Sequence, residues 1–215
     1  MPEHGHHHGD PAPSHGSDHF QHDFSDAAAW SKKFDDPERA AWQKPEEVMV
    51  LLGAKEGSVV ADLGAGTGYF LPYLSRAVGA TGRVLALDVE PTLVTWMTER
   101  AKKESLENVE VRLIPGDDPA LDPASVDRIL IVDTWHHIPE RDEYSRKLLA
   151  ALKPGGAVVI VDFTKESPEG PPPEHRIPPS EVIATLAEAG FTAEDVPSEL
   201  PRQYVVVGWG VPKVN

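Results

Sequence analysis

The stretch Val59-Val60-Ala61-Asp62-Leu63-Gly64-Ala65-Gly66-Thr67-Gly68-Tyr69-Phe70-Leu71 restricts the fold of this chain more than any other. A short apolar run ends in an acid, three glycines follow at alternate positions, and an apolar segment resumes, which reads as strand, tight turn and helix. Glycine has no Cβ and adopts positive φ, so such a turn lets a ligand approach the backbone closely. The helix behind it aims free N–H groups and the positive end of its dipole at the turn. Function is therefore to be sought around Gly64–Gly68.

The same rhythm recurs downstream. Arg83–Asp88, Val109–Ile114, Val126–Asp133 and Ala157–Phe163 are runs of strand length, with helical segments from Pro91 toward Glu104 and from about Arg141 to Leu152 between them. Strands alternating with helices imply a three-layer, doubly wound α/β sheet of Rossmann-like type, mainly parallel. Lys153-Pro154-Gly155-Gly156 reads as the turn into the fifth strand. The rhythm then breaks. After a helix from Ser180 to Ala189, Phe191–Val196 and Tyr204–Trp209 have no helix between them, so they must pair as a hairpin and end the sheet with an antiparallel edge.

Three regions are expected. Residues 1–26 place His4, His6, His7, His8, His15, His19 and His22 among Gly, Pro, Asp and Ser, a composition that cannot bury a core and predicts a disordered tail. Imidazoles this dense can bind zinc, nickel or copper, with His4, His6, His7 and His8 the candidates, yet no cysteine or i,i+4 His pair fixes a geometry. A solvated leader and a metal-binding element both remain open. Residues 27–53 read as a helical arm in two pieces, opened by Asp36-Pro37-Glu38 and Pro45-Glu46-Glu47 and closed at Gly53. Its Trp30, Phe34 and Trp42 either close over a ligand or pack the arm against residues 54–215, the ligand-binding domain.

Charge and composition remove several functions. The 20 Lys+Arg against 35 Asp+Glu give a formal net charge of -15, which repels phosphate backbones and anionic lipid, so nucleic acid is not expected as a partner. With no cysteine there is no disulfide, thiol nucleophile or thiolate metal site. No apolar run approaches the ~20 residues of a membrane helix. The N-terminus shows no basic-then-apolar leader, and a cytoplasmic location without membrane insertion is expected. Oligomeric state is not legible.

The glycine run fits neither the Gly-x-Gly-x-x-Gly dinucleotide fingerprint nor a lysine-bearing phosphate loop. Asp62-Leu63-Gly64-Ala65-Gly66-Thr67-Gly68 instead resembles motif I of the class I S-adenosylmethionine-dependent methyltransferases. Asp88 ends the next strand twenty residues past Gly68, where a carboxylate can accept both ribose hydroxyl protons. Gly116-Asp117-Asp118 is similar to the family's adenine-contacting element, although Asp118 stands where a small residue is usual. Val132-Asp133-Thr134-Trp135-His136-His137-Ile138-Pro139 is similar to the segment after strand four, and Leu152-Lys153-Pro154-Gly155-Gly156 to the turn before strand five. The likeness covers about residues 48–209, and within the family it is to small-molecule methyltransferases related to ubiquinone and menaquinone biosynthesis.

The resemblance implies S-adenosyl-L-methionine as cofactor, S-adenosyl-L-homocysteine as product and a small-molecule methyl acceptor as partner. It implies cofactor contacts at Asp62, Gly64, Ala65, Gly66, Gly68, Tyr69, Asp88, Val89, Gly116, Asp117, Asp118 and Asp133. Each acid has a plainer alternative: Asp62 as a turn cap, Asp88 as a solvated strand end, Asp117 or Asp118 as an ordinary turn acid. Methyl transfer from a sulfonium is an in-line displacement, so the protein mainly aligns donor and acceptor and excludes water. An acceptor that must lose a proton needs a base, and His136 and His137 lie just past strand four, at the ligand-binding edge of an open α/β sheet. Only one of two adjacent histidines is expected to face the acceptor, and a structural role in the loop stands beside catalysis.

Trp42, Tyr69, Trp135 and His136 are acceptor-pocket candidates, together with His175 and Arg176 on the Pro-rich loop Ser167–Pro179, which is long enough to form a lid. Metalloid methylation through cysteine thiolates is excluded. Two other readings are a metal-binding or cofactor-sensing protein whose His-rich tail is the working part, and an NAD-dependent reductase, against which the glycine spacing argues.

Overall fold

A computed structural model of the chain describes residues 26–210 and 212. Seven strands, β1 (Val59–Leu63), β2 (Arg83–Asp88), β3 (Val109–Leu113), β4 (Val126–Val132), β5 (Leu152–Phe163), β6 (Thr192–Asp195) and β7 (Gln203–Trp209), form one sheet in the order β3-β2-β1-β4-β5-β7-β6. The first five strands run parallel, and β7 is antiparallel to both its neighbours. The expected C-terminal hairpin is present, with β7 inserted between β5 and β6 rather than lying at the rim. Composition decides this order: β7 is apolar and buried along almost its whole length, whereas Thr-Ala-Glu-Asp of β6 suits an edge that must not recruit another strand.

Alternation along the strands divides the core in two. Val60, Val84 and Leu130 point to a face covered by α3 (Pro45–Leu52), α4 (Leu71–Val78) and Met97 of α5 (Pro91–Lys103). Ala61, Leu85 and Ile129 point to the opposite face, covered by α6 (Arg141–Ala151) and α7 (Pro179–Ala189). Strands buried on both sides read as continuous apolar runs, which is why they were visible in the sequence.

Two local expectations need correction. The arm holds three helices, not two, because α1 (Ala27–Phe34) and α2 (Arg39–Gln43) precede α3. Asp26 caps α1, accepting from the Ala29 N–H at 2.9 Å, while Asp36 closes a turn by accepting from Glu38 N–H at 2.8 Å. Lys44, at φ 44°, separates α2 from α3. The Lys153–Gly156 turn lies inside β5: Val126 pairs with Leu152 and Arg128 with Ala157, so the intervening residues bulge out, with Gly155 at φ 81°. Among the described residues no helix is long and apolar enough to cross a membrane.

Candidate active site

The carboxyl ends of β1, β2 and β4 and the arm above them enclose a cavity of about 1090 Å³. Ligands bind at this edge of open α/β sheets because the strand order reverses there and leaves a crevice. Here the reversal lies between β1 and β4.

The end of the cavity around the glycine turn is made largely of backbone. Gly64 has φ 72°, and a Cβ on it would stand 2.3 Å from the Thr134 side chain, so this position admits no side chain. Gly66, at φ 60°, would bring a Cβ into ordinary contact with the ring of Phe34, at 3.6 Å, and donates its N–H to Asp88 Oδ2 at 2.8 Å. Asp88 Oδ1 accepts from Glu90 N–H at 3.0 Å, which fixes the carboxylate in one orientation with lone pairs to spare. Burial raises the Asp88 pKa, opposed by these backbone bonds.

Asp62 is buried beside it, and its Oδ2 has no hydrogen-bond partner. Burial and the neighbouring charge of Asp88 push its pKa up to about 7, against the pull of Arg39. Leaving a buried carboxylate oxygen without a partner is costly, the same burial cost that raises the Asp62 pKa. The helix after the turn begins only at Leu71, so the glycine segment itself, rather than the first turn of α4, faces the cavity.

The other end is made of side chains from distant segments. Arg39 was not singled out from sequence, yet it sits at the centre. Its Nε and Nη2 donate to Gln43 Oε1 at 3.1 and 2.8 Å, Nη1 donates to the Phe34 carbonyl at 2.9 Å, and the guanidinium lies 4.3 Å from the Tyr69 ring centroid. Gln43 Nε2 donates to Gln203 Oε1 at 2.8 Å, and Gln203 Nε2 donates to Asp133 Oδ1 at 2.6 Å. Asp133 Oδ2 closes the circuit 3.6 Å from Arg39. Burial raises Asp133 to about 7; Arg39 opposes the shift and Asp162 adds to it. The i,i+4 spacing of Arg39 and Gln43 on one helical face was the available sequence signal. Their partners lie too far along the chain for any local pattern.

Farther out, Arg202 pairs with Glu169 at 3.3 Å and lies 5.1 Å from the Trp42 ring centroid. Phe163 is 6.2 Å from Trp42, centroid to centroid. The arm is pinned over the glycine turn by Asp35, which accepts from Arg100 Nη1 at 2.7 Å and Thr67 Oγ1 at 3.2 Å.

Of the residues expected at the site, Asp62, Gly64, Ala65, Gly66, Tyr69, Asp88, Val89, Gly116, Asp133, Trp42, His136 and His137 line the cavity. Six do not. Gly68 shapes the turn, its carbonyl accepting from Leu71 N–H at 3.1 Å. The Asp117 backbone carbonyl accepts from Lys147 Nζ at 2.8 Å, and the Asp118 carboxylate lies 3.5 Å from the same ammonium. Trp135 is wholly buried in the core, where its ring packs rather than contacts a ligand. Arg176 donates to the carbonyls of Pro171, Thr164, Lys165 and Ser167 at 2.7, 3.1, 2.8 and 2.7 Å, and so organises the loop from within. His175 lies in the short 3-10 turn Pro173–His175, and the loop reaches the cavity through Glu169, Gly170 and Pro171 instead. The His-rich tail candidates His4, His6, His7 and His8 lie outside the described residues, among which no group of His, Cys, Asp or Glu could hold a metal ion.

A glycine turn between two buried acids, at the reversal point of a sheet ending in an antiparallel pair, defines an α/β protein of methyltransferase type. Comparison with known proteins agrees. The methyltransferase domain family matches residues 60–156. The ubiquinone/menaquinone biosynthesis C-methyltransferase UbiE of Idiomarina loihiensis is 30% identical over 115 residues, which are 53% of this chain and 45% of that protein. The arsenite methyltransferase of Halobacterium salinarum is 30% identical over 145 residues, 67% of this chain and 36% of that one. The chain thus spans less than half the length of these curated relatives. The crystal structure of a SAM-dependent methyltransferase from Aquifex aeolicus matches with a TM-score of 0.82 at 35% identity, covering 89% of this chain and 100% of that one. The chain belongs to the class I S-adenosylmethionine-dependent methyltransferases.

Proposed function

We propose that this protein transfers the methyl group of S-adenosyl-L-methionine to a small-molecule acceptor held in the same cavity. The observation that carries the reading is the pair of buried acids around the Gly64–Gly66 turn. Asp88 is already oriented by two N–H groups and retains lone pairs for the ribose hydroxyls, while the partnerless oxygen of Asp62 suits the ammonium of the donor's amino-acid part. Val89, Ile114 and Gly116 offer a largely apolar slot for the adenine. When bound, the cofactor supplies an activated methyl on a sulfonium sulfur.

The chain's own part is alignment and exclusion of water. Trp30, Phe34 and Trp42 of the arm roof the cavity, and the Arg39, Gln43, Gln203 and Asp133 circuit fixes the arm to the sheet. The acceptor end combines the aromatic surfaces of Trp42, Tyr69 and Phe163 with few uncompensated charges, which suits a small, partly apolar molecule. Without cysteine, the chain has no thiolates to offer a metalloid, so the substrate named for the Halobacterium relative is not adopted for it. Titration calorimetry of the full chain with S-adenosylmethionine and S-adenosylhomocysteine tests the donor; absence of binding at millimolar concentration would sink the reading. Incubation of a small-molecule extract with methyl-labelled donor then identifies the acceptor.

A further inference from the structure

His136 and His137 enter the cavity side by side, with ring centroids 4.2 Å apart, but their settings differ. Behind His136 stands Asp162, which breaks the apolar run Ala157–Val161 near the end of β5 and is 3% exposed. An acid here does nothing for a buried strand and is costly unless paired. The bonds of Asp162 converge on the segment it faces and on the strand end that carries it. Both carboxylate oxygens accept from His136 Nδ1–H, at 2.9 and 3.0 Å, Oδ2 also accepts from the His136 backbone N–H at 3.3 Å, and Oδ1 from Phe163 N–H at 2.8 Å. Asp162 itself does not line the cavity, whereas His136 does.

We propose that Asp162 is a positioning residue for a catalytic imidazole. It holds His136 with Nδ1–H turned inward, so that Nε2 presents its lone pair to the cavity and takes a proton from the methyl acceptor. The proposal deepens the methyl-transfer reading and rests on it. A carboxylate can only accept, so the nitrogen it faces carries the hydrogen and the other nitrogen of the neutral ring is basic. Nε2 makes no hydrogen bond to the described residues. A base oriented by a third group is the arrangement that nucleophile activation requires.

The step balances. The acceptor's oxygen or acidified carbon forms a bond to the methyl carbon, the carbon–sulfur bond breaks with its electron pair left on sulfur, and the acceptor's proton passes to Nε2 and later to solvent. The acceptor class that follows is one with a proton to lose, rather than a sulfide.

The charged groups facing the ring are Asp162 from β5, Asp133 from the end of β4 and Arg141 from α6, with His137 beside it. Burial disfavours the charged ring, but the hydrogen bond and charge of Asp162, aided by Asp133, outweigh it and hold the His136 pKa above 6.5.

Long-range nitrogen–proton NMR of the histidine rings in the full chain, with His136 assigned by its loss in His136→Gln, tests the arrangement without needing an acceptor. The expected result is a neutral His136 protonated at Nδ1, titrating above 6.5 in the wild type and about one unit or more lower in Asp162→Asn. Calorimetric affinity for S-adenosylmethionine should stay within about threefold in Asp162→Asn, less than the tenfold that 1.4 kcal/mol represents. A neutral ring protonated at Nε2 would overturn the proposal, and so would a midpoint unmoved by Asp162→Asn. In the labelled-donor reaction, Asp162→Asn should slow transfer about tenfold or more, against the 10²–10⁴ typical of a general base, and move the rising limb of the pH profile down. New O–CH3 or C–CH3 products are expected; label on sulfur would overturn the assignment. The tautomer measurement does not use Asp162→Asn, so poor folding of that variant does not remove the test. Failure of wild-type protein to bind S-adenosylmethionine would instead refute the methyl-transfer reading.

Discussion

The two ends of the cavity are built on different principles. At the donor end, residues 62–68 and Asp88 act through backbone shape and buried acids, within two consecutive βα units. At the acceptor end, Arg39, Gln43, Asp133 and Gln203 meet through side chains contributed by the arm, the end of β4 and the last strand. A local, backbone-based site tolerates little change in sequence. A dispersed side-chain site can be re-equipped one residue at a time, which is how one fold serves many substrates.

The largest expected effect falls on the donor end. Gly64→Ala would put a methyl 2.3 Å from Thr134 at a φ of 72°, and should destabilise the chain by about 3 kcal/mol or more while abolishing donor binding. Chemical denaturation and calorimetry would show it; near-wild-type values would break the claim that this end is set by backbone. Asp88→Ala should next weaken S-adenosylmethionine by about 1.5–3 kcal/mol for each charge-assisted bond lost, without a comparable loss of fold stability. Unchanged affinity would move the ribose elsewhere.

A pH titration of stability sharpens the contrast without mutation. Asp62 and Asp133 rise to about 7 in the folded chain from a usual 3.8, and His136 rises above 6.5, so in all three the folded state binds protons more tightly than the unfolded. Their contribution is present at low pH and lost as pH climbs through these raised values. The free chain should therefore gain about 1–3 kcal/mol on going from pH ~8 to pH ~6, read as a rise in Tm. A flat or opposite profile would contradict the burial of these charges. Saturating S-adenosylmethionine should shrink the gain, because an ammonium beside Asp62 favours the ionised carboxylate.

The smallest effect is expected at the acceptor end. Arg39→Ala should cost about 1–2 kcal/mol of stability and loosen the arm to proteolysis, with donor affinity within a few-fold of wild type. Arg39→Lys should not restore it, since one ammonium cannot match a guanidinium that bonds Gln43 through two nitrogens. A loss of donor affinity as large as that of Asp88→Ala would erase the distinction between the two ends.

This division also explains what the sequence could show. The glycine turn, Asp62, Asp88 and the succession of strands up to β5 were legible because each depends on neighbours within one strand–helix unit. Asp162 lay in plain view at the end of an apolar run, but nothing local linked it to His136, 26 positions earlier. Arg176 looked like a cation available to a substrate until its surroundings placed four carbonyls around it. Trp135, beside His136 in the short 3-10 turn Trp135–His137, is buried in the core instead, which its sequence position does not reveal. The Asp118 carboxylate of Gly116-Asp117-Asp118 is paired with Lys147 on α6, a contact that motif spacing does not encode.

The insertion of β7 between β5 and β6 bears on biosynthesis. A chain leaves the ribosome N-terminus first, so β1 to β5 and the glycine turn can assemble while Gln203 is still inside the exit tunnel. β6 pairs with β7 alone, and must wait for it. Gln43, near the start of the described chain, already accepts from Arg39 but gains Gln203 as a partner across 160 residues only when β7 docks. The nascent protein therefore acquires its donor end before its acceptor end, and the late arrival of one strand times the moment at which the cavity is complete.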